Sequence, residues 1–152
     1  MLYMVIVRML ILVFLSFATV SFAADCGTSK KEGFRLFVSF SMPENLLINL
    51  DQQARKIGAK LVIRGLKNNS FKETFSYIKA MNENGLVIDI DPKSFEDFEV
   101  TQVPSFVINQ GTKYDKLVGN VSIHYVLKQF TEKGDLKDKA SQYLRRLENE
   151  SK

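Results

Sequence analysis

FRLFVSFSMPE, Phe34 to Glu44, is the stretch that decides the fold. Its first part, Phe34 to Phe40, is a nearly continuous apolar run with aromatic and β-branched content, the pattern of a central strand buried on both faces. A helix is expected at once behind it. Ser41 can cap that helix, Pro43 suits its first turn because the missing amide hydrogen would have had no partner, and Glu44 complements the positive end of the helix dipole. Leu46, Leu47, Leu50, Ala54 and Ile57 then share one helical face, and Gly58 supplies a stop.

Outward from this unit the chain keeps alternating. Lys60 to Arg64 reads as a second strand ended by Gly65, with a loop at Asn68 and Asn69. Ser70 with Glu73 makes a capping box for a helix in which Phe71, Phe75, Ile78 and Met81 recur toward Gly85, so these side chains are expected in the core. Leu86 to Ile90 reads as a further buried strand. Asp91-Pro92 is a cap followed by a first-turn proline for a short helix carrying Phe95 and Phe98. A linker reaches Pro104, where Ser105 to Asn109 is a strand, Gln110 to Asp115 a turn containing Gly111, and Lys116 to Val118 a short hairpin partner. Ser122 can cap a helix buried through Ile123, Val126, Leu127 and Phe130 and ending at Gly134. The last segment, Leu136 to Leu147, puts Leu136, Ala140, Tyr143, Leu144 and Leu147 on one face; it reads as a docked helix or a partner-binding helix, and docking is expected.

Composition bounds the functional classes. With 152 residues and 45% hydrophobic content the chain suits one compact domain with a substantial core. Met9 to Ala24 is uncharged and almost wholly apolar, behind Arg8 and ahead of the small residues Ser21, Ala23 and Ala24, which reads as an export signal cut after Ala23. An uncleaved anchor is the alternative, although about 16 apolar residues is short for a membrane span. Cleavage removes one charge, Arg8, and leaves 20 bases against 17 acids, a mild +3. The lysines are mixed with acids and form no dense basic stripe among aromatics, so nucleic-acid binding has little support.

Cys26 is the one cysteine. An exported chain with a single thiol makes no internal disulfide and cannot by itself run a two-cysteine exchange cycle. Cys26 falls close behind the cleavage point, in a segment expected to be flexible. Lipidation would need a small residue before it, where Asp25 stands; an intermolecular disulfide or an incidental free thiol fits better. The sole histidine, His124, has no acidic cluster at metal spacing around it, so no metal or other cofactor is expected.

This order of elements resembles a thioredoxin-like α/β fold: a central mixed sheet flanked by helices, with a helical insertion around residues 68–85 and a C-terminal helix. The implied organisation is a signal peptide over 1–23, a flexible mature N-terminus over 24–33, the thioredoxin-like domain over 34–133 and an amphipathic helix over 134–152. In thioredoxin-like proteins the redox pair sits where the first strand turns into its helix. Ser41-Met42-Pro43-Glu44 occupies that place with its proline retained, but Ser41 and Glu44 stand at the two cysteine positions, and a serine hydroxyl cannot exchange with a disulfide. Val103-Pro104-Ser105 resembles the segment holding that fold's cis-proline loop. A cis bond before Pro104 is expected there, although proline is also tolerated at the start of a strand.

The resemblance narrows to the TrbC family of type-F conjugative pilus assembly proteins. It is carried by FVSFSMPE from Phe37 to Glu44, LVIRG from Leu61 to Gly65, IDIDP from Ile88 to Pro92 with Phe95, VPSFV from Val103 to Val107, and Val118-Gly119 leading into Val121-Ser122. It implies a bacterial periplasmic protein that helps assemble the conjugative pilus of a type IV secretion apparatus, in contact with other assembly proteins such as a TraW-like partner. The expected function is therefore a non-catalytic assembly factor acting through protein contacts, with no small-molecule substrate, no nucleic acid, and membrane contact through the signal segment alone. A periplasmic thiol oxidoreductase using Cys26 and a general chaperone are the alternatives. The expected partner-binding residues are Ser41, Met42, Pro43, Val103, Pro104 and Ser105, forming a groove for an extended partner segment whose backbone pairs there without a thiol. Arg64 and Asp91, at the carboxyl ends of parallel strands, are expected to pair and organise the rim.

Overall fold

The structure is a computed structural model and describes residues 32–82 and 86–150. The export segment, Cys26 and the expected helix stop at Gly85 lie outside the described residues. Among the described residues five strands form one mixed sheet in the order β3-β2-β1-β4-β5. They are β1 (Gly33–Val38), β2 (Lys60–Ile63), β3 (Ile88–Ile90), β4 (Ser105–Gln110) and β5 (Lys113–Val118). Strands β1, β2 and β3 run parallel, whereas β4 is antiparallel to both β1 and β5. The helices are α1 (Glu44–Ile57), α2 (Phe71–Asn82), α3 (Pro92–Asp97), α4 (Ile123–Lys133) and α5 (Lys137–Asn149), with a short 3₁₀ turn at Lys67–Asn69. This is the thioredoxin-like arrangement expected, with α2 as the inserted helix and β3 as an added edge strand.

Two cores explain the double burial of β1. Side chains of a strand alternate between faces, so Phe34, Leu36 and Val38 join the larger core with Leu47, Leu50, Ala54, Leu61, Phe106, Val126 and Leu127. Phe37 points the other way, into a smaller core with Val62, Phe95, Phe98, Val100 and Val107, where its ring meets Phe95 edge-on at 4.8 Å. Fully burying one such side chain is worth about 1.5–3 kcal/mol. Arg35 shares the face of Phe37 and is also buried. It donates to Asn109 Oδ1 at 2.8 Å, and its guanidinium carbon lies 5.5 Å from the centre of the Phe98 ring. Burial lowers its affinity for the proton, and the charges of Asp91 and Asp89 oppose that shift.

Several local expectations are met for the expected reasons. Gly58 ends α1 in the left-handed region, at φ 71°, its amide bonded to carbonyls of the last turn. Asp91 caps α3 by accepting from the Ser94 amide, with Pro92 in the first position. Ser122 caps α4 by accepting from the Tyr125 amide, and Gly134 closes that helix. Helix α5 is docked: Ala140 and Leu147 are buried, while Tyr143 and Leu144 pack on the larger core.

Others are corrected. Ser41 does not cap α1; the helix begins at Glu44 with Pro43 at the cap position and no side-chain cap, because the Ser41 hydroxyl is engaged with Ser39 Oγ at 3.0 Å. The capping box of α2 is half formed. Ser70 Oγ accepts from the Glu73 amide, but Glu73 accepts from Asn68 Nδ2 instead of reaching back to Ser70. Phe71 and Phe75, expected in the core, are 67% and 66% exposed; the buried side of α2 carries Thr74 and Met81. Strand β3 starts at Ile88, two residues later than expected, and as an edge strand it leaves Ile90 exposed. The hairpin is tighter than expected, since β5 extends back to Lys113 and leaves Gly111 and Thr112 as the turn, with Gly111 at φ 57°.

Candidate functional site

The carboxyl ends of β1 and β2 open onto a cleft of about 610 Å³, whose far wall is the segment from Val100 to Val103. Ligand sites of α/β sheets form at this edge because the strands end there and their connections diverge. Beyond β1 the chain makes a compact turn: the Met42 amide bonds to the Ser39 carbonyl at 3.0 Å, and the Ser41 amide to Ser39 Oγ at 3.2 Å. This turn presents Ser39, Phe40 and Ser41 to the cleft. Phe40 is held edge-on against Tyr77 of α2, with ring centres 5.1 Å apart.

The second wall follows β2. Arg64 donates to the Val100 carbonyl at 2.8 Å, and its guanidinium carbon lies 5.0 Å from the centre of the Phe95 ring. Lys67 is fixed through its backbone, whose amide donates to Thr74 Oγ1 at 2.8 Å, while its ammonium nitrogen sits 3.3 Å from the Tyr77 ring centre. Tyr77 holds its phenol proton more tightly than usual, chiefly because it is desolvated and secondly because of the charge on Glu44. A ring flanked by a cation and an aromatic neighbour is a rigid support for the α2 side of the rim.

On the third side, the peptide bond between Val103 and Pro104 is cis, as expected from the sequence. The Pro104 carbonyl accepts from the Gly119 amide at 3.0 Å, and the Gln102 carbonyl accepts from Ser105 Oγ at 2.6 Å. Between these anchors, neither the amide nor the carbonyl of Val103 bonds to any described residue. Val103 is half-buried and lines the cleft.

Of the six residues expected to bind a partner, Ser41 and Val103 line this cleft. Met42 packs partly against the larger core and Pro43 heads α1. Pro104 contributes its carbonyl to Gly119, and Ser105 is fully buried with its hydroxyl donating to the Gln102 carbonyl. The expected Arg64 to Asp91 rim pair gives way to two separate sets of contacts. Arg64 turns to Val100 and Phe95, whereas both Asp91 oxygens accept from Ser94, through its amide and its hydroxyl. The reason is local: a carboxylate placed to cap α3 already faces two donors of its own turn.

Sequence reading missed Phe95, Val100, Thr101, Lys67 and Asn68 as cleft residues. One signal was available, the break at Gly65 between two cations, Arg64 and Lys67. Little in the cleft suits nucleophilic chemistry, because the Ser41 hydroxyl is paired with another hydroxyl and not with a base. His124 stands elsewhere, exposed on α4, with Nε2 3.6 Å from Glu148 Oε1. Among the described residues no group of histidine, cysteine or acidic side chains could hold a metal ion.

The family described as "Type-F conjugative transfer system pilin assembly protein", TrbC_Ftype, matches residues 36–130. The chain belongs to the TrbC family. The match runs from β1 into α4, so it contains the whole cleft and leaves α5 outside it. "Periplasmic protein TrbC" of Escherichia coli (strain K12) is 29% identical over 116 residues, covering 75% of this chain and 55% of that protein. The chain thus spans about half the length of this TrbC relative. Like that relative, it is a periplasmic protein. No solved structure matches the chain.

Proposed function

We propose that this TrbC-family chain is a non-catalytic assembly factor for the conjugative pilus of a type-F type IV secretion system, acting through protein contacts with a TraW-like assembly protein. Its cleft takes an extended partner segment that pairs with the Val103 backbone, as strand-addition recognition does elsewhere. The observation that carries this reading is the half-buried Val103 on the cleft wall, whose amide and carbonyl have no partner among the described residues. Serine and glutamate at the two positions where the fold's redox cysteines would stand, Ser41 and Glu44, support a binding role over thiol exchange.

The test is capture of the TraW-like protein from cells carrying the conjugation apparatus, using the mature chain as bait. The substitution Val103→Glu narrows the cleft at this wall and places an ion against the incoming backbone. Val103→Glu should weaken capture at least tenfold, about 1.4 kcal/mol, in a protein that still melts cooperatively although Val103 packs against the smaller core. Undiminished capture by Val103→Glu overturns the groove. Loss of pilus formation on Cys26→Ser would favour thiol chemistry instead.

A further inference from the structure

The cleft is charged in one sense only. Arg64 and Lys67 line it, and no aspartate or glutamate does. Elsewhere, ion pairs join Arg55 to Asp51, Lys60 to Asp89, Lys93 to Asp97, His124 to Glu148 and Lys139 to Glu32. Neither Arg64 nor Lys67 has a carboxylate partner among the described residues. Acids around the cleft stand outside its lining: Glu73 accepts from Asn68 Nδ2, the charge of Glu44 acts on Tyr77, and Asp91, whose amide bonds to the Ile63 carbonyl, accepts from the amide and hydroxyl of Ser94.

Both cations are held in place without being neutralised. A single guanidinium nitrogen of Arg64 donates to the Val100 carbonyl while the plane rests near Phe95, which leaves other donors of the fork for an incoming group. Lys67 is steadied by the Tyr77 ring, a contact that engages part of its ammonium and leaves its other N–H donors for an incoming group. Low-dielectric walls at such a concave edge concentrate the field of two like charges and favour an anion inside it.

We infer that the cleft selects an extended partner segment carrying an aspartate or glutamate side chain, held by Arg64 and Lys67 while its backbone pairs with Val103. This rests on the groove reading above and adds the chemistry of the occupant. The acid belongs to a side chain and not to a chain terminus, because a strand paired at Val103 continues past it in both directions. Alternating side chains then bring one residue in two toward the side of the cleft where Arg64 and Lys67 stand.

The probe is a set of ten-residue peptides tiled along the TraW-like protein, acetylated and amidated at their ends, with binding measured by fluorescence anisotropy. The expected result is that the tightest peptides contain aspartate or glutamate. Changing that acid to its amide, or making Arg64→Gln or Lys67→Gln in the protein, should weaken binding at least tenfold. Raising sodium chloride from about 50 to 500 mM should weaken it several-fold by screening. Arg64 is exposed and Lys67 half-buried at the rim, and an unchanged melting temperature confirms that folding is intact.

Binding that is abolished by Val103→Glu but indifferent to the amide changes, to Arg64→Gln and to Lys67→Gln overturns this inference and leaves the groove standing. Binding restricted to peptides with a free carboxyl terminus also overturns it. If no peptide binds, or if Val103→Glu changes nothing, the groove itself is wrong.

Discussion

Glu32 shows how much one exposed side chain can tie together. One of its oxygens accepts from the Gly111 amide and the other from Lys139, both at 3.0 Å, so it joins the entry to β1, the hairpin turn and α5. These bonds hold its carboxyl below the usual value of 4.5, the Lys139 hydrogen bond contributing most. A folded-state value below the unfolded one stabilises at pH above the unfolded value, and the benefit disappears as pH falls through the folded one. Glu32→Gln should therefore lower the melting temperature at pH 7 slightly, and the difference from wild type should close as pH is brought below 4.5. Thermal melts of both proteins across that range check this; a difference constant with pH would mean that the ion pair with Lys139 contributes nothing. At the same scale, Ser41 was legible as a polar residue at a strand-to-helix junction. Whether its hydroxyl would cap α1 or meet Ser39 depended on the path of the turn, which residue type does not specify.

Among the elements, α2 departs furthest from its pattern. Phe71, Phe75, Ile78 and Met81 have helical spacing, but the face that packs is centred on Thr74 and Met81, so the stripe runs partly into solvent. Periodicity identifies an apolar face; it does not say how wide a surface the sheet presents to it. Substituting serine for Phe71 or Phe75 should shift unfolding free energy by no more than about 0.5 kcal/mol, as at other exposed sites. Met81→Ala should cost about 2–4 kcal/mol, because it empties a buried site. Urea melts of the three variants distinguish a core role from a surface one. Strand β3 is a related case: its apolar run suggested burial, yet its position at the sheet edge exposes Ile90. By contrast, the caps at Asp91 and Ser122 and the stop at Gly58 were readable because each is a chemical requirement met within a few residues.

At the scale of the whole molecule, Asp115 is the residue whose importance no local pattern betrays. It stands on β5, and its two carboxylate oxygens accept from the amides of Asp135 and Leu136, at 2.8 and 2.9 Å, just before α5. Leu136 occupies the cap position there and has no side-chain cap; the Asp115 carboxylate instead fastens the two amides that lead into the helix. Asp115→Ala would leave two amides without their partners and should cost about 1–3 kcal/mol. Denaturant unfolding checks this; loss of less than about 0.5 kcal/mol would mean that water replaces the carboxylate without penalty. Packing against Asp115 also leaves Gly134 no room for a side chain, since a Cβ there would lie 2.5 Å from an Asp115 oxygen. The cleft belongs to this scale as well. Its walls come from the ends of β1 and β2 and from the segment before β4, about 60 residues apart along the chain.

The sequence by itself determined the strand and helix order, the turn at the end of β1, most helix ends and the absence of a cysteine pair at the redox positions. These follow from short-range patterning: alternation along a strand, spacing along a helix, and the backbone needs of proline, glycine and capping side chains. Tertiary structure alone decided that Ser105 is buried, that Phe71 and Phe75 face solvent, that Arg64 turns to Val100 while Asp91 caps α3, and that two unneutralised cations meet in one cleft. Each of these depends on which distant surfaces come together, and burial and field are properties of that assembled geometry.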